Sequence, residues 1–212
     1  MNTNKKRLIL IAGGTASGKS MIADMFKDQL NIINEKTTII RMDNYYKDIK
    51  DLKEENVNEV NWDNPIVFDW KQLINDINLL MNGQEVKRKK YSYKTGSYLE
   101  EENILKPNDN LIIEGLFSLS NRKLRKKSTL LIYVDARHDI RMKRRINRDS
   151  NGRYENSFDK EQFIIKWTNV IHPMHRKYVK PTKKYATEII DNNEDFKNNT
   201  KKKEIIDSLI KI

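Results

Sequence analysis

The chain of 212 residues contains no cysteine, only four prolines and only seven glycines. Without cysteine it cannot form a disulfide, a thiolate metal site or a cysteine nucleophile. It also lacks an apolar run long enough for a signal peptide or a membrane span, so we expect a cytoplasmic protein without a membrane partner. No internal repeat and no Gly/Ser-rich or Pro-rich linker interrupts it, and we expect one domain over residues 1–212.

Acidic residues are in the minority, with 30 Asp and Glu against 41 Lys and Arg, a net charge of +11. Such a balance suggests polyanionic partners, either nucleic acid or phosphorylated substrates. Most of the charge is dispersed along the chain, as in a compositional bias with solvated lysines. We therefore expect no nucleic-acid partner, and single out one basic cluster below.

Three of the few glycines lie in one stretch that follows the apolar run Leu8–Ile11 and precedes residues with helical spacing. The stretch has the form GxxxxGK(S/T) and consists of Gly13, Gly14, Thr15, Ala16, Ser17, Gly18, Lys19 and Ser20. Small residues let backbone N–H groups converge on phosphate oxygens, and a helix start favours the same negative charge. Lys19 is expected to reach the β- and γ-phosphates, and the Ser20 hydroxyl to hold Mg²⁺. The alternative is a glycine-rich turn with a chance Lys-Ser.

Two carboxylates follow predicted strands. Asp43 comes after the β-branched run Thr37–Arg41, and Glu114 ends the apolar run Asn110–Glu114. In an open α/β sheet, ligands bind beyond the carboxyl ends of the strands. Asp43 could therefore accept the proton of an attacking hydroxyl, although an N-cap or turn role is equally compatible. Glu114 is expected to serve Mg²⁺ or its water shell.

A loop and a predicted hairpin supply candidate acceptor-binding residues. Asp63 lies on a loop beside aromatic side chains and could bind sugar hydroxyls, with a plain turn role as the competitor. Residues 85–99 are predicted to form a β-hairpin insertion. Its Tyr91 and Tyr93 suit a wall on which a base stacks, although exposed tyrosines on edge hairpins are common.

The basic cluster lies in residues 139–149, which we predict to be helical. Helical spacing puts four arginines along one stripe: Arg141, Arg144, Arg145 and Arg148. Guanidinium groups on a mobile lid, here predicted at about 139–160, could stabilise a transferring phosphoryl group and exclude water. Nucleic-acid binding and a solvated helix face are the rival interpretations. His172 and His175 lack a third ligand at helical spacing, so we predict no metal site there.

Together these motifs resemble the uridine kinases of the phosphoribulokinase/uridine kinase family, from Leu8 to Ile190. The most specific are Pro-Thr-Lys-Lys-Tyr-Ala at 181–186 and Arg-Arg-x-x-Arg-Asp at 144–149. The other matching segments are residues 13–20, 43–48, 62–65, 91–93, 113–115 and 133–135. The resemblance implies a three-layer α/β P-loop kinase fold with a mostly parallel sheet, helices on both faces, the hairpin insertion and the Arg-rich lid.

By this resemblance the reaction is transfer of the γ-phosphoryl group of ATP to the 5′-hydroxyl of a pyrimidine ribonucleoside. Asp43 would be the general base, while Lys19, Ser20 and Glu114 would serve ATP and Mg²⁺. Asp63 would bind the ribose hydroxyls. The resemblance also implies a homotetramer.

The same resemblance assigns the remaining substrate contacts. Arg145 and Arg148 would close over the phosphates and the nucleoside. Tyr91 and Tyr93 would line the base pocket, and Tyr45 is implied as a further substrate contact.

Three positions depart from the family pattern, and all concern base recognition. Gly96 stands where a His usually reads the uracil edge, Tyr98 replaces an Arg, and Lys166 stands where a Gln is expected. We keep Lys166 as a candidate substrate contact. Loss of a hydrogen bond to a substrate edge can remove much of the discrimination between substrates. A kinase of the same fold that acts on another nucleoside or small alcohol is therefore the first alternative.

Other function classes are less consistent with the motifs. A guanine-nucleotide switch would need an Asn-Lys-x-Asp tetrad, which is absent. A P-loop ATPase without nucleoside kinase activity, for example one that depends on nucleic acid, stays open. A catalytically silent homologue is disfavoured because Lys19, Ser20, Asp43 and Arg148 are all present.

Overall fold

A computed structural model describes residues 6–54, 56–57, 59–153, 158–194 and 199–211. Its centre is a sheet of five parallel strands in the order β2-β5-β1-β6-β7. Their bounds are β1 Arg7–Gly13, β2 Thr37–Arg41, β5 Asn110–Glu114, β6 Leu130–Asp135 and β7 Glu188–Asp191. The predicted α/β class with a parallel sheet is confirmed.

The middle strands are buried on both faces, as expected for parallel strands covered by helices on two sides. Every residue of β5 is buried, and in β1 all but Arg7 are. The register pairs Ile11 with Glu114, and Arg41 with the same Glu114. The strands therefore end at one edge of the sheet, which brings the glycine-rich loop, Glu114 and the residues after β2 together.

Helices form the two outer layers. Helix α1 (Lys19–Ile32) and helix α7 (Asn199–Ile210) cover one face, where Phe26 and Ile206 are fully buried. Helix α2 (Trp70–Met81), helix α3 (Arg122–Lys127) and the hairpin lie on the other. The Asp69 side chain caps α2 by accepting from the Gln72 amide at 2.9 Å. No helix in the described ranges is both long and apolar enough to cross a membrane.

The hairpin insertion is longer than the predicted residues 85–99. It consists of β3 (Val86–Ser92) and β4 (Ser97–Leu105), which form a separate antiparallel sheet. Most of β4 is exposed, and its glutamates pair across the hairpin, with Lys89 bonded to Glu100 at 2.9 Å. Because most residues of β4 are polar, the sequence does not show the alternation of apolar and polar residues from which the end of this strand could have been predicted.

The predicted lid begins with helix α4 (His138–Arg148), and a π-helical turn at 149–153 follows it. Helix α5 (Lys160–Lys166) and helix α6 (His172–Met174) belong to one helical stretch over residues 160–185. Pro173 has no N–H to donate, and the hydrogen-bond register changes to π-helical on both sides of α6. Residues 154–157 of the predicted lid lie outside the described residues.

A buried ion pair joins the hairpin to α2 and to the segment after β2. Arg88 of β3 bonds Asp76 of α2 at 3.1 Å, and the two side chains are 9% and 1% exposed. The Tyr45 hydroxyl donates to the same carboxylate at 2.9 Å, and the guanidinium stacks 3.7 Å from the Tyr45 ring centre. Arg88 also donates to the Asn44 carbonyl at 2.9 Å. One side chain thus fixes the hairpin beside the residues that follow Asp43.

We expect Arg88→Ala to lower the free energy of unfolding by about 3 kcal/mol or more, because it leaves the Asp76 carboxylate buried without its cation. Lys89→Ala is the matched control on the next residue. Its partner Glu100 is 93% exposed, so the loss should stay below about 1 kcal/mol. Urea denaturation measures both variants, and equal losses would contradict an anchoring role for Arg88.

Candidate active site

The glycine-rich loop joins β1 to α1 with the backbone that phosphate binding needs. Ala16 (φ +57°) and Gly18 (φ +94°) are left-handed, and the Ser17 amide donates to the Gly14 carbonyl at 3.0 Å. A Cβ atom at Gly13 would lie 2.6 Å from the Val134 carbonyl oxygen, so only glycine fits there. The loop opens on the start of α1, where free N–H groups favour an anion.

Glu114 lies at the end of β5 beside Ser20 of the loop. Its Oε1 accepts from the Ser20 hydroxyl at 3.1 Å and from Arg41 at 3.4 Å. Its Oε2 is buried and has no hydrogen-bond partner among the described residues. Burial raises the pKa of Glu114, although Lys19 opposes that shift.

This carboxylate oxygen fits an Mg²⁺ ion held through Ser20 and Glu114 together with phosphate oxygens and waters. No three described His, Asp or Glu side chains cluster so that they could hold a metal ion by themselves.

A cavity of about 760 Å³ lies beside the loop, with Lys19, Asp43 and Asp63 in its lining. The Oδ1 atom of Asp43 is buried and has no hydrogen-bond partner in the described part of the chain. Burial raises the pKa of Asp63, while the charges of Arg145 and Lys19 lower it. In the described part of the chain, this cavity thus combines a carboxylate oxygen that has no hydrogen-bond partner with the lysine of the glycine-rich loop.

Two arginines of α4 reach the same cavity. Arg145 bonds the Asp149 carboxylate at 2.6 Å and donates to the Thr15 hydroxyl of the loop at 2.6 Å. Arg148 bonds the other oxygen of Asp149 at 3.1 Å. Asp149 is 2% exposed, so a buried carboxylate holds both guanidinium groups at the cavity, and Arg145 also contacts the glycine-rich loop.

The model of the phosphoribulokinase/uridine kinase family matches residues 8–198, which is most of the chain. The chain belongs to this family. A uridine kinase from Halalkalibacterium halodurans is 37% identical over 184 residues, which cover 86% of this chain and 84% of that one. A uridine kinase from Staphylococcus epidermidis is 36% identical over 187 residues, which cover 88% of each.

The fold is shared with more distant kinases. The structure of phosphoribulokinase from Rhodobacter spheroides superposes with a TM-score of 0.62 at 14% identity, covering 87% of this chain and 69% of that one. At this identity the likeness concerns the fold alone.

The family resemblance implied that Tyr45 contacts the substrate, but in the structure Tyr45 does not line the cavity. Tyr45 is 1% exposed and points into the core, where Asp76 and Arg88 hold it. Its neighbour Tyr46 lines the cavity instead. The short 3₁₀ helix Met42–Tyr45 ends between them, and this turn sends the two side chains in different directions.

The aromatic wall of the cavity is built around Tyr46. Its ring lies 4.9 Å from that of Trp62 and 5.7 Å from that of Tyr91. Tyr93 stands beside Tyr91 with 5.6 Å between ring centres, and both line the cavity. The wall therefore comes from the hairpin and from two loops after β2.

Two departures from the family pattern have structural roles outside the cavity lining. Gly96 is left-handed (φ +65°), and a Cβ there would lie 3.2 Å from that of Ile49. Tyr98 packs against Tyr91 at 5.3 Å and donates to the Tyr46 carbonyl at 2.8 Å. These positions support the aromatic wall from behind.

Lys166, the third departure, lines the cavity itself. Burial lowers its pKa, and so does the charge of Arg145, whereas Asp63 raises it. Gln162 and Asn169 line the same side of the cavity. Neither motif spacing nor charge singled out these two amides, because α5 and the π-helical turn after it place them only in the folded chain.

The stripe of four arginines divides in the structure. Arg145 and Arg148 line the cavity, whereas Arg144 donates to the Asn192 and Glu194 carbonyls, each at 2.9 Å. Arg141 is 2% exposed and lies against Gly14. The helix therefore uses two of its four arginines at the cavity and the others to pack against the loop and the residues after β7.

Sequence reasoning also missed Asn192. This fully buried residue donates from Nδ2 to the Ser17 carbonyl at 2.6 Å and so ties the phosphate loop to the end of β7. Asn192 and Ser17 are 175 residues apart in the sequence, so no local sequence pattern could indicate this contact.

Substitution of the two adjacent tyrosines tests which one contacts the phosphoryl acceptor. Tyr46→Leu should raise the KM for the acceptor roughly tenfold, because a stacking face is lost. Tyr45→Phe should instead lower the free energy of unfolding by about 2 kcal/mol, because it removes a hydrogen bond to a buried carboxylate, and leave that KM unchanged. Steady-state kinetics with urea denaturation measure both, and a KM effect confined to Tyr45→Phe would contradict the placement.

Proposed function

We propose that the protein is an ATP-dependent uridine kinase that transfers the γ-phosphoryl group to the 5′-hydroxyl of uridine, and also of cytidine. The observation that carries the proposal is the buried, unpartnered Oδ1 of Asp43 in a cavity that Lys19 of the phosphate loop also lines. An acceptor hydroxyl and a γ-phosphoryl group can meet only where such a base and such a loop share one space. The identities of 36% and 37% with uridine kinases support the same substrate class.

In this mechanism Asp43 accepts a hydrogen bond from the 5′-hydroxyl and takes its proton as the phosphoryl group moves. Lys19 and the loop amides hold the β- and γ-phosphates, and Arg145 and Arg148 offset charge on the transferring group. Ser20 and Glu114 would hold Mg²⁺, which when bound neutralises charge on the triphosphate. The aromatic wall excludes water from the acceptor side of the cavity.

In this proposal the nucleoside is oriented through contacts to its ribose and to its base. Asp63 accepts hydrogen bonds from the ribose hydroxyls, and the base stacks among Tyr46, Tyr91 and Tyr93. Since Gly96 offers no side chain to the base edge, we assign its recognition to the opposite wall, where Lys166 and Asn169 supply donors and an acceptor. A cytoplasmic location and a homotetrameric assembly stay predictions from the sequence.

The test is Mg²⁺-dependent ATP consumption with uridine, cytidine, adenosine, guanosine, thymidine or no acceptor. We expect turnover with uridine and cytidine, formation of the 5′-monophosphates, and no dependence on DNA or RNA. Turnover with none of these acceptors, in a protein that binds ATP, would contradict the proposal. It would instead favour the alternative that Gly96 and Tyr98 motivate, a kinase of the same fold for a different alcohol.

Asp43→Asn is the control for the chemical step in this assay. It should lower kcat by roughly 10²–10⁴-fold, because the base is lost. The affinity for ATP should not change, because Asp43 serves the hydroxyl and not the triphosphate.

The raised pKa of Asp63 predicts how the affinity for the nucleoside depends on pH. A buried carboxylate takes up its proton at a higher pH than the usual value of about 4, and the protonated form is a poorer acceptor for ribose hydroxyls. The KM for uridine should therefore rise as the pH falls through this raised pKa, while the KM for ATP stays flat. Asp63→Asn should remove that rise, and a wild-type KM for uridine that is constant down to the usual carboxyl pKa would contradict it.

A further inference from the structure

A second cavity, of about 480 Å³, opens between the start of α4 and the helical stretch at 172–183. It shares no lining residue with the cavity that holds Asp43. Five cationic side chains line it: Arg137, Arg141, Arg176, Lys180 and Lys183. Among the described lining residues Asp135 is the one carboxylate. The wall of this cavity therefore carries a strong positive charge.

Only two of these cations have a carboxylate partner in the described chain. Lys183 bonds Asp135 at 2.6 Å, and Arg137 bonds Asp139 at 2.7 Å. Arg141, Arg176 and Lys180 form no ion pair with any residue that the structure describes. With one lining carboxylate against five cations, the positive charges of this cavity repel one another and attract an anion.

Arg141 makes the imbalance costly because it is only 2% exposed. Among the described residues its guanidinium donates to two neutral acceptors, the carbonyls of Ala136 at 3.2 Å and Thr15 at 3.5 Å, and it lies 5.6 Å from the Trp167 ring centre. Burial lowers the pKa of Arg141, which shows the unfavourable environment of its charge. A buried guanidinium in such a position is stabilised when an anion enters the adjoining cavity.

Two histidines add hydrogen-bonding groups to the same cavity. The Nδ1 atoms of His172 and His175 are buried and have no hydrogen-bond partner in the described ranges. Burial and the charge of Arg141 lower the pKa of His175 to about 3, so its imidazole is neutral at pH 7. A neutral imidazole can still donate one N–H to an oxygen of a ligand.

We propose that this cavity binds a phosphate group, either free or carried by a small metabolite, at a site separate from the ATP phosphates. Guanidinium groups bind phosphate through paired N–H donors, and Lys180 adds a point charge. The site also adjoins the phosphate loop. A Cβ at Gly14 would lie 2.5 Å from Arg141 and 3.0 Å from His175, so both side chains press against this glycine.

The test is calorimetric titration of inorganic phosphate into protein saturated with Mg²⁺ and a non-hydrolysable ATP analogue. We expect one phosphate to bind while the phosphate loop is occupied. Lys180→Ala and Arg176→Ala should each weaken this binding about tenfold, because each removes a charge-assisted contact. Lys177→Ala is the matched control, since Lys177 lies on the same stretch, stacks on Tyr178 at 4.9 Å and does not line the cavity.

Loss of phosphate binding when the ATP analogue is present, or equal weakening by Lys177→Ala, would overturn the proposal. Lys19→Ala protein should bind phosphate with unchanged affinity, because Lys19 does not line this cavity. This result would not depend on the proposed kinase activity, which needs Lys19. Glycerol 3-phosphate in place of phosphate distinguishes a carried phosphate group from the free ion, because it has no base for the aromatic wall of the first cavity to bind. Binding should also raise the pKa of His175 in an NMR titration, a change that a merely structural imidazole would not show.

Discussion

The parallel register of β2, β5 and β1 is the constraint on which the candidate site depends. Because Arg41 and Ile11 both lie opposite Glu114, the three strands end together, and whatever follows each strand must share one edge. The backbone hydrogen bonds of the sheet thus bring the phosphate loop, Glu114 and Asp43 together, and the Ser20 hydroxyl adds a direct bond from the loop to Glu114. The candidate site is therefore positioned by strands of the central sheet.

That arrangement brings carboxylates close to one another at an electrostatic cost. Asp43 raises the pKa of both Glu114 and Asp63, and Lys19 opposes the shift in each case. Lys19 therefore contributes to the electrostatic balance among these carboxylates. In the proposed mechanism an Mg²⁺ ion would bind at Glu114 and a ribose at Asp63, so substrate binding would offset a repulsion that the fold imposes.

The sequence was informative wherever a local pattern determines the structure. An apolar run with a glycine-rich loop, or with an acid at its end, is specified within a few residues, and this was enough to predict the strands that end there and to name Lys19 and Glu114 as candidates. The mostly parallel sheet was implied by the family resemblance. Tyr45 and Tyr46 could not be separated in that way. Their directions follow from a buried ion pair between Arg88 and Asp76, which no local pattern encodes.

The arginines of α4 show the same limit on prediction. Helical spacing correctly placed them on one stripe, but partners far along the chain decide where each guanidinium goes. Arg144 meets the carbonyl of Asn192, and Arg141 meets the phosphate loop. Long flexible side chains are directed by tertiary contacts, so a charged stripe identifies a functional helix without identifying its functional residues.

Two of the departures from the family pattern, Gly96 and Tyr98, have the same structural role, because both belong to the hairpin that packs behind the aromatic wall. Tyr98 accepts a hydrogen bond from Arg88 at 3.0 Å and donates to the Tyr46 carbonyl, while Gly96 allows the turn to pack against Ile49. These residues hold the aromatic wall rigid but offer no side chain to a base edge. Under the proposed function, discrimination among bases then falls to the part of the cavity lined by α5 and the turn after it, where Lys166 lies. Because Lys166 follows helix α4 along the chain, the arginines proposed to act on the phosphoryl group and the residue proposed to read the base belong to one region of the sequence.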